Sequence, residues 1–330
     1  MPVTQDHLLH YPHPERWQLA ILSTALLLGA LFNLLAIYVL YLSRIKCVLS
    51  KLLFYNQNVF DIIVCTAVLA QFATLYAHSD PRGHVTIVYC LLMESSFFMK
   101  FVRVLALANI ICLSASRFLL IVCPKSYRQH GKRYIILCYV FIFSYALASS
   151  LPRTFAMHFH EGKCLLKTTA LLRTSLIIFD VFVRYLFPLT VILTMYLITM
   201  RVVRKLQAEH SAKSADSVGL QCSDLNPYLS VWNCLSISTT GFAIELTILE
   251  VTALIMYTLQ EFGLINFRVD SIGRMYYVYG CAVIAGLNPG LEIATIPALR
   301  KTTVQLFVDL TNFVGKAVGT FIPKRCAVTS

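Results

Sequence analysis

Charged side chains are scarce in this sequence: 13% of its 330 residues are Asp, Glu, Lys or Arg, against about 25% in a typical soluble domain. Hydrophobic residues make up 58% and the mean hydropathy is +0.70. That leaves too little polar surface to clothe a water-soluble body of this size. Acid is the scarcer sign, with 16 acidic residues against 28 basic ones and a net charge of +12. Common catalytic signatures are missing too. There is no Gly-x-Ser-x-Gly, no His-Glu-x-x-His and no Cys-x-x-Cys pair, so the hydrolase, metalloprotease and metal-ribbon chemistries those motifs carry are not expected. Neither enzymatic activity nor a cofactor is anticipated. No internal repeat is visible, which counts against transporters built from duplicated halves. Residues 1–16 lack the basic start of a cleaved signal, and the apolar stretch after them is too long for a signal core.

What the sequence has is a series of long apolar blocks. A helix rises about 1.5 Å per residue, so about 20 apolar residues cross a hydrocarbon core of about 30 Å. Blocks at 17–42, 52–77, 87–122, 133–152, 171–203, 230–260 and 272–297 satisfy that requirement. Helices satisfy their own backbone hydrogen bonds in lipid, so the expected fold class is all-α: a polytopic membrane protein with a seven-transmembrane helix bundle. Residues 1–16 are then an extracellular N-terminus, 17–297 the transmembrane domain, and 204–229, with Ser211, Ser214, Ser217, Gly219 and Pro227, a cytoplasmic loop. In 298–330, Leu299, Arg300, Lys301, Val304, Leu306 and Phe307 mix basic and apolar residues as a short amphipathic membrane-surface helix does, leading into a cytoplasmic tail.

Basic residues in short loops set the orientation. With the N-terminus outside, Arg44, Lys46, Lys51, Lys125, Arg128, Lys132, Arg133, Arg201, Arg204, Lys205, Arg300 and Lys301 all fall inside, and the inner segments carry about twice the basic residues of the outer ones. A plasma-membrane protein with a cytoplasmic C-terminus follows. The positive charge is matched to an anionic inner leaflet rather than to nucleic acid, because it is split among loops between apolar helices. Of the 11 cysteines, only Cys90 and Cys164 fall on the oxidising side, where they form a disulfide or remain as two outer thiols.

Short motifs recur along the blocks. Phe32-Asn33-Leu34-Leu35 lies in the first span and Asn56-Gln57-Asn58-Val59-Phe60-Asp61 in the second. Ser116-Arg117-Phe118 ends the third and is followed by Pro124-Lys125-Ser126-Tyr127. Pro188 and Tyr196 are eight apart in the fifth, and Asn288-Pro289 lies in the seventh. In order and spacing these resemble the signature positions of rhodopsin-like (class A) G-protein-coupled receptors, in a divergent form. The resemblance implies a receptor that passes an extracellular ligand signal to a heterotrimeric G protein. It implies a coupling role for Arg117, Pro124, Tyr127, Tyr196, Asn288 and Pro289. It also implies a buried polar cluster of Asn33, Asp61 and Asn288, read either as a switch linked to sodium or water near Asp61 or as a static packing knot, and it matches the Cys90–Cys164 bridge. Several features depart from the family: Ser116 replaces the acid before Arg117, helix six has neither Trp nor Pro between Leu235 and Gln260, helix four lacks its usual tryptophan, Cys90 lies two residues further from Arg117 than the family norm, and Glu292 replaces the tyrosine after Asn288-Pro289. Met99 stands where an amine receptor has aspartate, which argues against an amine ligand. No lysine for retinal lies in 272–297.

Ionisable residues inside lipid are costly and need partners or a wet cavity. Lys100 and Arg103 lie about 20–25 Å from the Arg117 end of the third span, at the depth of the family's ligand pocket. Glu245 and Glu250 on the sixth span are the candidate counter-charges. Lys100, Arg103, Glu245, Glu250 and Tyr276 are therefore the ligand-site candidates. Two readings stand: an interhelical ion pair, or a basic pocket for a peptide carboxylate or small acidic molecule. Asp180 and Arg184, four apart, are expected to pair within their own helix, and Glu292 to pair with Arg300 or Lys301. The rival to a receptor is a multi-helix transporter or channel lined by these charges.

Overall fold

A computed structural model describes residues 16–43, 45, 47–77, 97–155, 157–160, 163–166, 170–216, 241, 244, 245, 247–256, 258–260, 264, 265, 267 and 271–321. In chain order the helices are α1 (Arg16–Leu42), α2 (Val48–Ala77), α3 (Phe97–Val122), α4 (Pro124–Gln129), α5 (Gly131–Phe155), α6 (Ala170–Val181), α7 (Phe187–Asp216), α8 (Thr247–Gln260), α9 (Ile272–Thr295) and α10 (Pro297–Phe321). Among the described residues, five helical stretches are long and apolar enough to cross a membrane, and α9 passes the same test together with the bent segment that follows it. Their outward faces are apolar: Leu27, Leu28 and Leu31 on α1 and Ile136, Leu137 and Val140 on α5 are exposed, as lipid contact requires.

The fold is helical as expected, with one addition. Met157–His160 (β1) and Lys163–Leu166 (β2) form a two-stranded antiparallel hairpin pairing Phe159 with Cys164. Cys90, and with it the expected bridge, lies outside the described residues, as do 1–15, 87–96, 217–229, 230–240 and 322–330 of the expected segments. The α7 helix continues to Asp216. After α9 the chain turns by 99° into α10. Pro297 disfavours helical backbone at the residue before it, and Ile296 is accordingly extended (φ −102°, ψ 109°).

The middle helix of the bundle is α3, which packs on α2, α5 and α7, while α1 packs on α2 and α9. The main apolar core runs through Leu53, Phe54, Leu107, Ile111 and Ile142. Lipid is as apolar as these side chains, so close backbone approach and interhelical hydrogen bonds carry much of the specificity.

Two prolines are each repaired by a neighbouring helix. Pro289 has no N–H for the carbonyl of Ala285 four residues back, and Asn33 Nδ2 of α1 donates to that oxygen at 3.3 Å. The approach is possible because Gly29 faces Gly286: a Cβ on Gly286 would lie 2.8 Å from the Gly29 Cα. The second proline, Pro188, follows a π-helical turn at Phe182–Leu186. In π geometry the N–H of residue i meets the carbonyl of i−5, so Pro188 leaves Val183 without a donor. The Tyr145 hydroxyl on α5 donates to the Val183 carbonyl instead.

Gly286→Val should lower stability by about 1–3 kcal/mol through this backbone clash. Gly131→Ala, whose Cβ would meet nothing within 4 Å, should leave the thermal midpoint in detergent unchanged or slightly raised.

Candidate functional site

Two polar systems run through the bundle, joined by one cavity. The first lies among α3, α6, α8, α9 and the π turn. Glu250 on α8 is buried, and its Oε1 accepts from Arg103 Nη2 at 2.8 Å and from Arg184 Nη2 at 3.0 Å. Arg103 Nη1 donates to the Tyr277 hydroxyl of α9 at 2.9 Å, and its guanidinium lies 5.5 Å from the centre of that ring. The Tyr277 hydroxyl donates in turn to the Leu249 carbonyl at 3.3 Å. Lys100 Nζ meets Asp180 Oδ1 at 2.5 Å.

The pairing of Arg103 with Glu250 follows the sequence expectation; three others need correction. Asp180 and Arg184 do not pair with each other. The π turn between them widens the helix by a residue per turn, so positions four apart no longer stack, and each reaches a different helix. Lys100 is therefore met by Asp180 rather than by Glu245 or Glu250. Tyr276 is replaced in the site by Tyr277. Adjacent residues on a helix point about 100° apart, and Tyr276 is 43% exposed; its ring faces away from the bundle.

The cavity between the two systems is lined by Arg103, Arg184, Glu250, Glu245, Asp61 and Asn288 among others. It has a volume of about 60 Å³, room for about five waters. Glu245 thus sits on the cavity wall shared with Asp61, not on Lys100.

The second system surrounds Asp61 on α2. Its carboxylate accepts from Asn288 Nδ2 at 2.9 Å and from Gln57 Nε2 at 3.3 Å to both oxygens. Asn109 of α3 donates to Gln57 Oε1 at 3.0 Å and to the Leu53 carbonyl at 2.8 Å. Asn33 joins α1 to α9 through Ala285 rather than touching Asp61. Amide N–H donors, not oxygen ligands, point at Asp61, and no group of three His, Cys, Asp or Glu among the described residues has metal-binding geometry.

Toward the far end of α3, Arg117 is buried with its guanidinium 5.8 Å from the Phe54 ring centre. Ser116, which stands in the acid's place, turns away: its Oγ bonds Ser50 Oγ at 3.0 Å and the Tyr127 hydroxyl at 3.4 Å. The Tyr127 hydroxyl also meets Cys47 Sγ at 2.7 Å. Burial first, then the bond to Cys47, pushes the Tyr127 phenol up to about 12, so it stays protonated. Glu292 is not at an ion pair with Arg300 or Lys301. It is 1% exposed, and its Oε2 accepts from Asn58 Nδ2 at 2.9 Å. The sequence signal was available: an acid appears on α9 in the same protein in which the acid beside Arg117 is lost. Pro124 opens α4, where a missing N–H costs nothing, and Tyr196 lies on α7, half-buried.

Compared with protein-family models, the chain matches the 7 transmembrane receptor (rhodopsin family) model over residues 32–283, more than half its length. It belongs to that family. Curated proteins give no match. The receptor is thus a seven-helix, multi-pass membrane protein, and the transporter or channel alternative gives way. The family is generally non-enzymatic, and in general its partners are an extracellular ligand and a G protein.

Removing one partner of a buried ion group leaves an uncompensated charge, which costs about 3–5 kcal/mol. Glu250→Ala should therefore lower the receptor's stability in detergent by that order. The triple change Arg103→Met, Arg184→Met, Glu250→Leu should recover most of the loss. A single-variant loss below about 1 kcal/mol would contradict the bridge.

Proposed function

We propose that the receptor sits in the plasma membrane, N-terminus outside and C-terminus in the cytoplasm, and couples a carboxylate-bearing extracellular ligand to a heterotrimeric G protein. The ligand is a peptide or a small acidic molecule. One observation carries this reading: two guanidinium groups at pocket depth, Arg103 and Arg184, share the single Glu250 carboxylate oxygen. A carboxylate that enters from outside takes over those donors; an ammonium has nothing to offer them.

The ligand's carboxylate competes with Glu250 for the two guanidinium groups. A space of about 60 Å³ does not admit an organic anion beside the intact bridge, so binding separates α8 from α3 and α7. A ligand shifts an equilibrium only by its differential affinity for the two states, and the guanidinium donors freed when Glu250 withdraws supply that difference. Without a proline in helix six, α8 moves as a unit rather than bending. At the cytoplasmic end, Glu292 and Asn58 restrain Arg117 in the role that the missing neighbouring acid otherwise fills. Release of Arg117 toward the G protein, with Tyr127, Tyr196 and Pro124 shaping that surface and Asn288 and Pro289 transmitting through α9, completes the switch.

A signalling assay in cells tests this. Arg117→Ala should abolish coupling at normal surface abundance. Glu292→Gln should raise ligand-independent signalling severalfold, since release of a clasp worth about 1–2 kcal/mol changes a two-state population by about fivefold to thirtyfold. Unaltered signalling in Arg117→Ala, or a silent Glu292→Gln, contradicts the coupling scheme.

A further inference from the structure

A second, larger cavity lies outside both polar systems. It is a cleft of about 920 Å³ between the start of α2 and the α4–α5 junction. Arg128, Lys132 and Arg133 line it and are exposed. No aspartate or glutamate is among its lining residues, and none of the three cations forms an ion pair among the described residues. Like charges held this close repel unless an anion joins them. The first turns of α2 and α5 both open at the cleft, and neither contains an acidic residue. The N-terminal ends of the two helix dipoles add further positive potential.

One wall is apolar. Val48 is 63% exposed, and Ile135 lines the cleft beside it. Ile136 and Leu137 follow on α5, at 63% and 61% exposed. The cleft sits just beyond the apolar stretches that end at Leu42 and Val122. A concentrated positive cleft that opens onto hydrocarbon-facing side chains suits an anion attached to an acyl chain better than it suits a free anion.

We propose that this cleft binds the phosphate headgroup of an anionic phospholipid. The lipid phosphate bridges Arg128, Lys132 and Arg133, and the chains descend along Val48, Ile136 and Leu137. The inference goes beyond the receptor reading, and it holds whichever way the bundle is oriented.

The test uses the full chain in phosphatidylcholine nanodiscs with and without phosphatidic acid, with retained lipid read by native mass spectrometry and thermal midpoint read in parallel. Wild type should retain phosphatidic acid and gain thermal stability from it. The Arg128→Gln, Lys132→Gln, Arg133→Gln variant should bind it about tenfold or more weakly, because each basic side chain contributes to the attraction. These side chains are exposed, so the variant should fold, and a normal thermal midpoint in pure phosphatidylcholine verifies it. Three results would each overturn the proposal: equal retention by the triple variant; equal stabilisation by inorganic phosphate alone, which would make this a free-anion site; and normal lipid retention with only G-protein activation lost, which would assign the cleft to the transducer.

Discussion

A single carboxylate oxygen at the centre of the bundle holds two guanidinium groups. Glu250 Oε1 accepts from Arg103 and from Arg184, and Arg103 reaches on to Tyr277. Four elements meet there: α3, the π turn before α7, α8 and α9. In a low-dielectric interior none of these charges is tolerable alone, so the helices that carry them have few positions relative to one another. That constraint makes the site a structural clamp. In the function proposed above, a group that satisfies the arginines from outside removes the reason for α8 to stay.

The rest of the bundle follows the same rule, that a polar group freed in lipid is met from a neighbouring helix. Pro289 frees the Ala285 carbonyl and Asn33 meets it. Pro188 frees the Val183 carbonyl and Tyr145 meets it. The buried acid Glu292 of α9 is met by Asn58 of α2. Each repair ties two helices together, so features that would break a helix in isolation become links between helices. Their geometry also depends on small residues, as where Gly29 and Gly286 let α1 and α9 close on each other.

Much of this was legible in the sequence. Apolar blocks of the length lipid demands marked the helices, and the spacing of Asn33, Asp61, Arg117, Pro188 and Pro289 marked the family. The need for a counter-charge pointed from Arg103 to Glu245 or Glu250, and Glu250 is the one that it meets. What could not be read had a local physical cause in each case. The π turn shifted the register between Asp180 and Arg184, and hydrogen-bond geometry of that kind leaves no periodic trace in the sequence. The choice between Tyr276 and Tyr277 depends on the rotation of α9 about its axis, which two adjacent aromatic residues do not specify. Glu292 looked like an end-of-helix acid near Arg300, but the bend at Ile296–Pro297 leaves it inside the bundle, against Asn58. Residues that belong to the polar network by rotation or bend were missed; those placed by spacing were found.

The central claim is that the Glu250 bridge holds the receptor in its silent arrangement. Ligand-independent signalling of Glu250→Gln, measured against wild type at matched surface abundance, tests it most directly, because the substitution keeps the side chain's shape and removes its charge. The account predicts basal signalling raised severalfold above wild type. Basal signalling equal to wild type, in a variant that reaches the surface and folds, would contradict it.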